Sequence, residues 1–370
     1  MSYYNNNYDD FFQKYSPERI KGRTSGSNGS RNKRPNKKRR RRLKPGVKAF
    51  FAVTALALVA LIIALSVSNC SGDDKPLDGT QSTPSESNVS TVGADTILQT
   101  VRPVSAQYTV TLGSGIESNN AILVDTSNNT ILARRNADVK IYPASMTKVM
   151  TLLVVAENVD DISKSFKMTS AIIDPLYREG ATLAGFCPGE EVAIADMIYG
   201  MILESGAEAS VGLAVYIAGS EENFVKMMNS KAKELGLTNT NFCNVTGLHD
   251  KNHYTTCTEM AMIMQAAINN DFCRQVLSTE YYTVSANSYH EEITFHSGMF
   301  SRMYGTEPEV ATIKGGKTGY TVNSANCLVS YAVTDDNREI ICVTADGGGK
   351  YVPIYDCIEL YKNYTHPAKG

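Results

Sequence analysis

Ser145 and Lys148 stand three residues apart in Tyr142-Pro143-Ala144-Ser145-Met146-Thr147-Lys148-Val149-Met150-Thr151, at what reads as the start of a helix. Pro143 suits such a start, where its missing N–H would find no intrahelical partner anyway. The run Val149 to Ala156 that follows is apolar enough to be buried. Positions i and i+3 share a helix face, so the hydroxyl and the amine can touch in a cleft while later turns sit in the core. A serine becomes a nucleophile when a base takes its proton, and a neutral amine can be that base. The chemistry on offer is acyl transfer through a serine ester.

Ser-x-x-Lys is a short pattern, and Ser30 to Lys33 and Ser230 to Lys233 repeat it. The first lies in a basic tail and the second on a polar helix face, so both read as solvated surface. The copy at Ser145 gains weight from two distant stretches. Ser205-Gly206-Ala207 closes a predicted helix, and Lys317-Thr318-Gly319 sits on a predicted strand. A lysine at its ordinary pKa of ~10.4 is neutral to only about one part in 10³–10⁴ at pH 7, a handicap of roughly 4–5 kcal/mol. Burial and a second ammonium both lower that pKa, and Lys317 is available as the second ammonium.

These residues need a scaffold. Ala121 to Asp125 and Thr130 to Arg134 flank Ser127-Asn128-Asn129 and read as a hairpin. Helical spacing follows from Ala144, over Ala193 to Leu203, Ala209 to Ala218 and Glu221 to Leu235, and over Thr258 to Asn269 with Thr258 as cap. Strands then run through Lys317 to Thr321, Cys327 to Val333 and Glu339 to Ala345, before a helix over Val352 to Tyr364. This order predicts an α+β fold: an antiparallel sheet that joins the two ends of the folded chain, with helices on both faces.

The 370 residues carry a formal net charge of −2, which hides a split. Residues 1–48 hold 15 Lys/Arg against 3 Asp/Glu, and the rest of the chain 21 against 35. Residues 1–48 are expected to be a disordered basic tail. Ala49 to Val67 is 19 residues without a charge, long enough at ~1.5 Å per residue for a hydrocarbon core of ~30 Å. With the basic run upstream it is expected to be an uncleaved transmembrane helix, N-terminus in the cytoplasm and the rest outside. Arg39 to Arg42 would bind any polyanion, but beside a membrane span they set orientation, and no nucleic acid is expected as partner. Residues 71–107, rich in Ser, Thr and Pro, read as a flexible linker and 108–366 as the folded domain.

No cysteines have Cys-x-x-Cys spacing and no histidine pattern suggests zinc, so neither metal nor cofactor is expected. Cys327, Cys342 and Cys357 lie among apolar neighbours and are expected to be buried thiols, with no required disulfide.

Local wording goes further. Tyr142 to Thr151, Asn244-Val245-Thr246-Gly247-Leu248-His249-Asp250, His253-Tyr254-Thr255-Thr256 and Gly316 to Thr321 resemble the D-alanyl-D-alanine carboxypeptidases, the low-molecular-mass penicillin-binding proteins. The likeness covers roughly residues 116–364. It implies a β-lactamase/transpeptidase-like fold, peptidoglycan pentapeptide stems as substrate and acylation by β-lactams. Ser145 then resembles the nucleophile, Lys148 its general base and Ser205 the hydroxyl that relays a proton to the leaving amine. Lys317 and Thr318 would meet the substrate carboxylate, with Gly319 allowing close approach. The N–H groups of Ser145 and Tyr320 would form the oxyanion hole. His249, His253, His290, His296 and His366 have no catalytic part in this scheme.

Two departures stand out. The family has Asn where this chain has Ala207, and loss of such a bond in a desolvated site costs ~1–3 kcal/mol. Many relatives also carry a further β-rich domain and a C-terminal amphipathic anchor, a task the N-terminal span is expected to take over here. Three alternatives share the residues: a β-lactamase, for which Glu307-Pro308-Glu309 falls too close to Lys317; a wall-peptide-binding protein weakened by Ala207; and a transpeptidase or sporulation protease.

Overall fold

Both ends of the folded chain enter one six-stranded sheet. The computed structural model describes residues 102–306 and 308–365. Across the sheet the order is β1 (Val104–Thr111), β3 (Thr130–Arg135), β2 (Asn120–Asp125), β10 (Glu339–Gly347), β9 (Ala325–Thr334) and β8 (Ala311–Thr321). The expected hairpin is β2–β3, and β2 pairs antiparallel with β10, Val124 opposite Ile341. One pair departs from an all-antiparallel sheet: β1 runs parallel to β3. Residues 104–107, which composition assigns to the linker, are therefore strand. β1 is an edge strand with no buried face; Val104, Ala106, Tyr108 and Val110 alternate with polar residues, but they follow directly on the Ser/Thr/Pro-rich stretch and read as its continuation.

A period of two along the strands divides the core. Ile122 and Val124 of β2 face one side with Val329, Ile341 and Val343. Ala121 and Leu123 face the other with Leu328, Ala332, Ile340 and Cys342, under Ile354, Cys357, Leu360 and Tyr361 of α9 (Val352–Tyr364). Cys327, Cys342 and Cys357 are all buried.

The first side is covered by a helical layer: α1 (Thr147–Asn158), α2 (Ser170–Arg178), α3 (Ile194–Leu203), α4 (Ala207–Ala218), α5 (Glu221–Glu234), α6 (Cys257–Ile268) and α7 (Asp271–Leu277). A short α8 (Phe300–Met303) precedes β8. Two small ladders, β4 (Ser165–Lys167) with β5 (Glu191–Ala193) and β6 (Tyr281–Val284) with β7 (Ile293–His296), lie outside the main sheet. α1 is buried from Thr147 through Val155, all round its axis, and packs on α3, α4, α5, α6 and α7. α6 begins one residue before its expected start because Thr256, not Thr258, caps it: Thr256 Oγ1 accepts the Glu259 N–H at 3.0 Å.

The basic segment 1–48, the expected span 49–67 and the linker through residue 101 lie outside the described residues. Among the described residues no helix is long and apolar enough to cross a membrane.

Candidate active site

Pro143 leads into a single 3₁₀ turn, Ala144–Met146, which α1 continues. Ala144 has φ +46°, an uncommon conformation for a residue with a Cβ, so its surroundings must impose it. Two glycines do so. A Cβ on Gly247, itself at φ +83°, would fall on the Ala144 carbonyl. On the other side, a Cβ on Gly319 of β8 would lie 3.0 Å from both the Pro143 oxygen and the Ser145 nitrogen. The Ser145 turn is thus wedged between the 244–248 loop and β8.

One turn on, Lys148 is 2 % exposed. Its Nζ lies 3.1 Å from Ser145 Oγ and donates to the Thr246 carbonyl at 2.6 Å. Asn244 folds the loop that supplies this carbonyl, its Oδ1 accepting the Gly247 N–H at 2.7 Å. Burial pushes Lys148 well below the ordinary lysine range, and the nearby Lys317 ammonium pushes it further, against the Glu208 carboxylate. An amine bound through one N–H to Thr246 can offer its lone pair to the serine hydroxyl.

Lys317 and Thr318 occupy the middle of β8, both buried. Lys317 Nζ donates to the Thr318 carbonyl at 3.1 Å. Burial lowers it to about 7, helped by the Arg302 guanidinium of α8 and opposed by Glu204. The Tyr320 side chain is exposed at the end of the same strand, beyond Gly319.

Ser205 forms the turn between α3 and α4 at φ +67°. Its Oγ is buried and has no hydrogen-bond partner among the described residues, so it bonds neither Ser145 nor Lys148. Ala207 is packed in the core, its N–H bonded to the Thr182 carbonyl at 2.8 Å. The Thr246 carbonyl is the backbone acceptor that holds Lys148.

The structure thus brings Ser145, Lys148, Gly319 and the Lys317 charge together. Ser205 stands in the neighbouring turn without a bond to them. No histidine pairs with Ser145 among the described residues. His253 accepts the Cys243 N–H through Nδ1 at 3.1 Å and meets Thr147 Oγ1 through Nε2 at 2.8 Å, and burial lowers it to about 4. It is a neutral, structural ring. Sequence reasoning gave no role to Arg302. Thr246 was visible only as part of the Asn-Val-Thr-Gly wording.

Among the described residues no three His, Cys, Asp or Glu side chains converge as a metal site.

The sequence model of the family described as D-alanyl-D-alanine carboxypeptidase matches residues 106–348. D-alanyl-D-alanine carboxypeptidase DacF of Bacillus subtilis is 33% identical over 240 residues, 61% of this chain and 57% of that protein. DacC of Escherichia coli is 34% identical over 230 residues, 60% and 55%. The chain thus spans little more than half the length of these curated relatives. Penicillin binding protein 5 from Haemophilus influenzae superposes with a TM-score of 0.60 at 27% identity, covering 67% of this chain and 71% of that one. A Streptomyces DD-transpeptidase, 24% identical, has a TM-score of 0.60 over 67% of this chain and 97% of its own, and shares the fold. The family match runs from β1 to just past β10 and takes in every part of the Ser145 pocket: this chain belongs to the D-alanyl-D-alanine carboxypeptidase family.

Proposed function

We propose that this chain is a serine-type D-Ala-D-Ala carboxypeptidase that removes the terminal D-alanine from peptidoglycan stem peptides and is acylated by β-lactams. The observation that carries the proposal is Lys148: a buried amine, lowered in pKa, 3.1 Å from a serine hydroxyl. Ser145 Oγ attacks the carbonyl carbon of the penultimate D-alanine as Lys148 takes its proton. The Ser145 and Tyr320 N–H groups receive the oxyanion. The C–N bond breaks toward nitrogen, and Ser205 passes the proton from Lys148 to the leaving amine. Water then opens the ester, with Lys148 again as base, and Ser145 regains its proton. The substrate carboxylate meets Lys317 and Thr318, with Arg302 behind Lys317. A β-lactam carbonyl enters the same path but leaves its amine tethered.

The catalytic domain works outside the cell on this proposal, held by Ala49–Val67. Protease protection of the N-terminal tail in intact cells tests that orientation, and a tail digested from outside refutes it.

The decisive experiment incubates the protein with diacetyl-Lys-D-Ala-D-Ala. Released D-alanine and a penicillin adduct on Ser145 are expected, and both disappear in Ser145→Ala. Peptide binding without any adduct would instead identify a wall-peptide-binding protein, and rapid hydrolysis of the adduct a β-lactamase.

A further inference from the structure

Thr151 is fully buried in the middle of α1, between Met150 and Leu152, where a valine would match its shape and bring no polar atom into the core. Its hydroxyl is used outside the helix. Oγ1 donates to the Val245 carbonyl at 2.8 Å and lies 3.4 Å from the Thr147 carbonyl one turn back. Lys148 stands three residues earlier, on the same helix face, and donates to the next carbonyl of the loop, Thr246, at 2.6 Å. Two side chains of one helix thus hold two consecutive carbonyls of the 244–248 loop.

Other ties brace the loop through its N–H groups. Glu221, in the first turn of α5, accepts the Val245 N–H through Oε1 at 3.0 Å. Asn244 Oδ1 accepts those of Thr246 at 3.2 Å and Gly247 at 2.7 Å. Val245 is itself fully buried, and among the described residues Thr151 is the only donor to its carbonyl. Glu208 takes no part in this bracing: its Oε1 accepts the N–H groups of Ala184 at 2.7 Å, Gly185 at 2.9 Å and Phe186 at 3.4 Å.

We propose that Thr151 is a positioning residue for the base: its hydroxyl fixes the Val245–Thr246 peptide, and the Thr246 carbonyl in turn holds Lys148 Nζ 3.1 Å from Ser145 Oγ. This deepens the carboxypeptidase reading and rests on it. A lysine amine sits at the end of a flexible stem, so its place is set by its partners. Without the Thr151 hydroxyl the Val245 carbonyl is buried with no donor, a state the loop relieves by turning that peptide, and the Thr246 carbonyl moves with it. Proton transfer needs the base within hydrogen-bond reach, and a displacement well under the length of a bond is felt in the rate. The carboxylate contacts on β8 lie outside this bracing, so initial binding is spared while the chemical step is not.

The test compares the full chain with Thr151→Val and Thr151→Ser. Acylation by fluorescent penicillin is followed at pH 7 over a range of concentrations, which separates the rate at saturation from the half-saturating concentration. In Thr151→Val the saturated rate is expected to fall about tenfold with half-saturation unchanged. Thr151→Ser, which keeps the hydroxyl, recovers most of the loss. A saturated rate in Thr151→Val equal to that of the wild type overturns the proposal, and so does a loss confined to half-saturation. Thr151→Ser as slow as Thr151→Val also overturns it, since the methyl and not the hydroxyl would then matter. Thr151→Ala removes the same hydroxyl and is read against Thr151→Ser where the valine does not fold. Lys148 is followed separately by the ¹³Cε resonance of labelled lysine at one fixed pH, assigned with Lys148→Arg. That resonance is expected to move in Thr151→Val and to return in Thr151→Ser; an unmoved resonance means the amine has kept its seat and overturns the tether. A wild-type protein that no penicillin labels, with the resonance still displaced in Thr151→Val, sinks the carboxypeptidase reading and leaves the tether standing.

Discussion

Lys148 donates to one oxygen and faces another, and each neighbour sets a different part of its behaviour. Thr246 fixes where the amine sits, and Ser145 is what it acts on. Replacing it with alanine removes the base while Ser145 remains. Penicillin acylation of Lys148→Ala is expected to fall by about 10²–10⁴-fold, read as the labelling rate at pH 7. Lys317 answers to a different pH. It must be an ammonium to hold a carboxylate, and in the free protein it loses its proton near pH 7. Bound substrate restores the proton, so the two kinetic parameters part: kcat/KM for a D-alanyl peptide is expected to decline above about pH 7 while kcat holds. A profile in which both fall together would place the titrating group in the chemical step instead.

Elements explain why some of this was legible beforehand and some was not. Ser145 and Lys148 could be paired from spacing alone, since a helical turn brings i and i+3 together whatever surrounds it. β9, β10 and α9 announced themselves through dense apolar runs. The short β4, β5, β6 and β7 did not, because three or four residues with little burial give no periodicity to count, and the eight-residue β1, exposed at the sheet edge, follows directly on the linker composition. The α6 cap was misplaced because Thr256 and Thr258 carry the same chemistry, and only backbone geometry at Thr256, φ −129°, selects it. Glu208 could be named as a neighbour of Ala207, but its partners lie 22 to 24 residues away, beyond any local pattern. The turn at Ser145 makes a prediction of its own. Gly247→Ala would press a methyl on the Ala144 carbonyl, and Ser145 must shift with it. Penicillin labelling is expected to fall about 10²-fold even where circular dichroism shows the fold retained.

For the whole molecule, the sheet is the floor on which the pocket stands, and α9 seals its far side. Leu360 is fully buried in that second core. Leu360→Ala is expected to cost about 2–5 kcal/mol in urea unfolding, with penicillin acylation at 25 °C unchanged in the fraction that stays folded. A substitution so far from Ser145 that altered the acylation rate itself would mean the two faces of the sheet are coupled.

Thr126 bonds to the Glu339 carbonyl across 213 positions of sequence, where the first hairpin meets β10, the last of the described strands. A nascent polypeptide that has emerged only as far as the serine turn, or even as far as β8, leaves one edge of β2 unpaired and has half a sheet. Such loops close slowly, because distant segments must find each other before either is rewarded. The pocket therefore waits for β10 to emerge. Prematurely released fragments would be open-edged and prone to stick to one another, not weak enzymes.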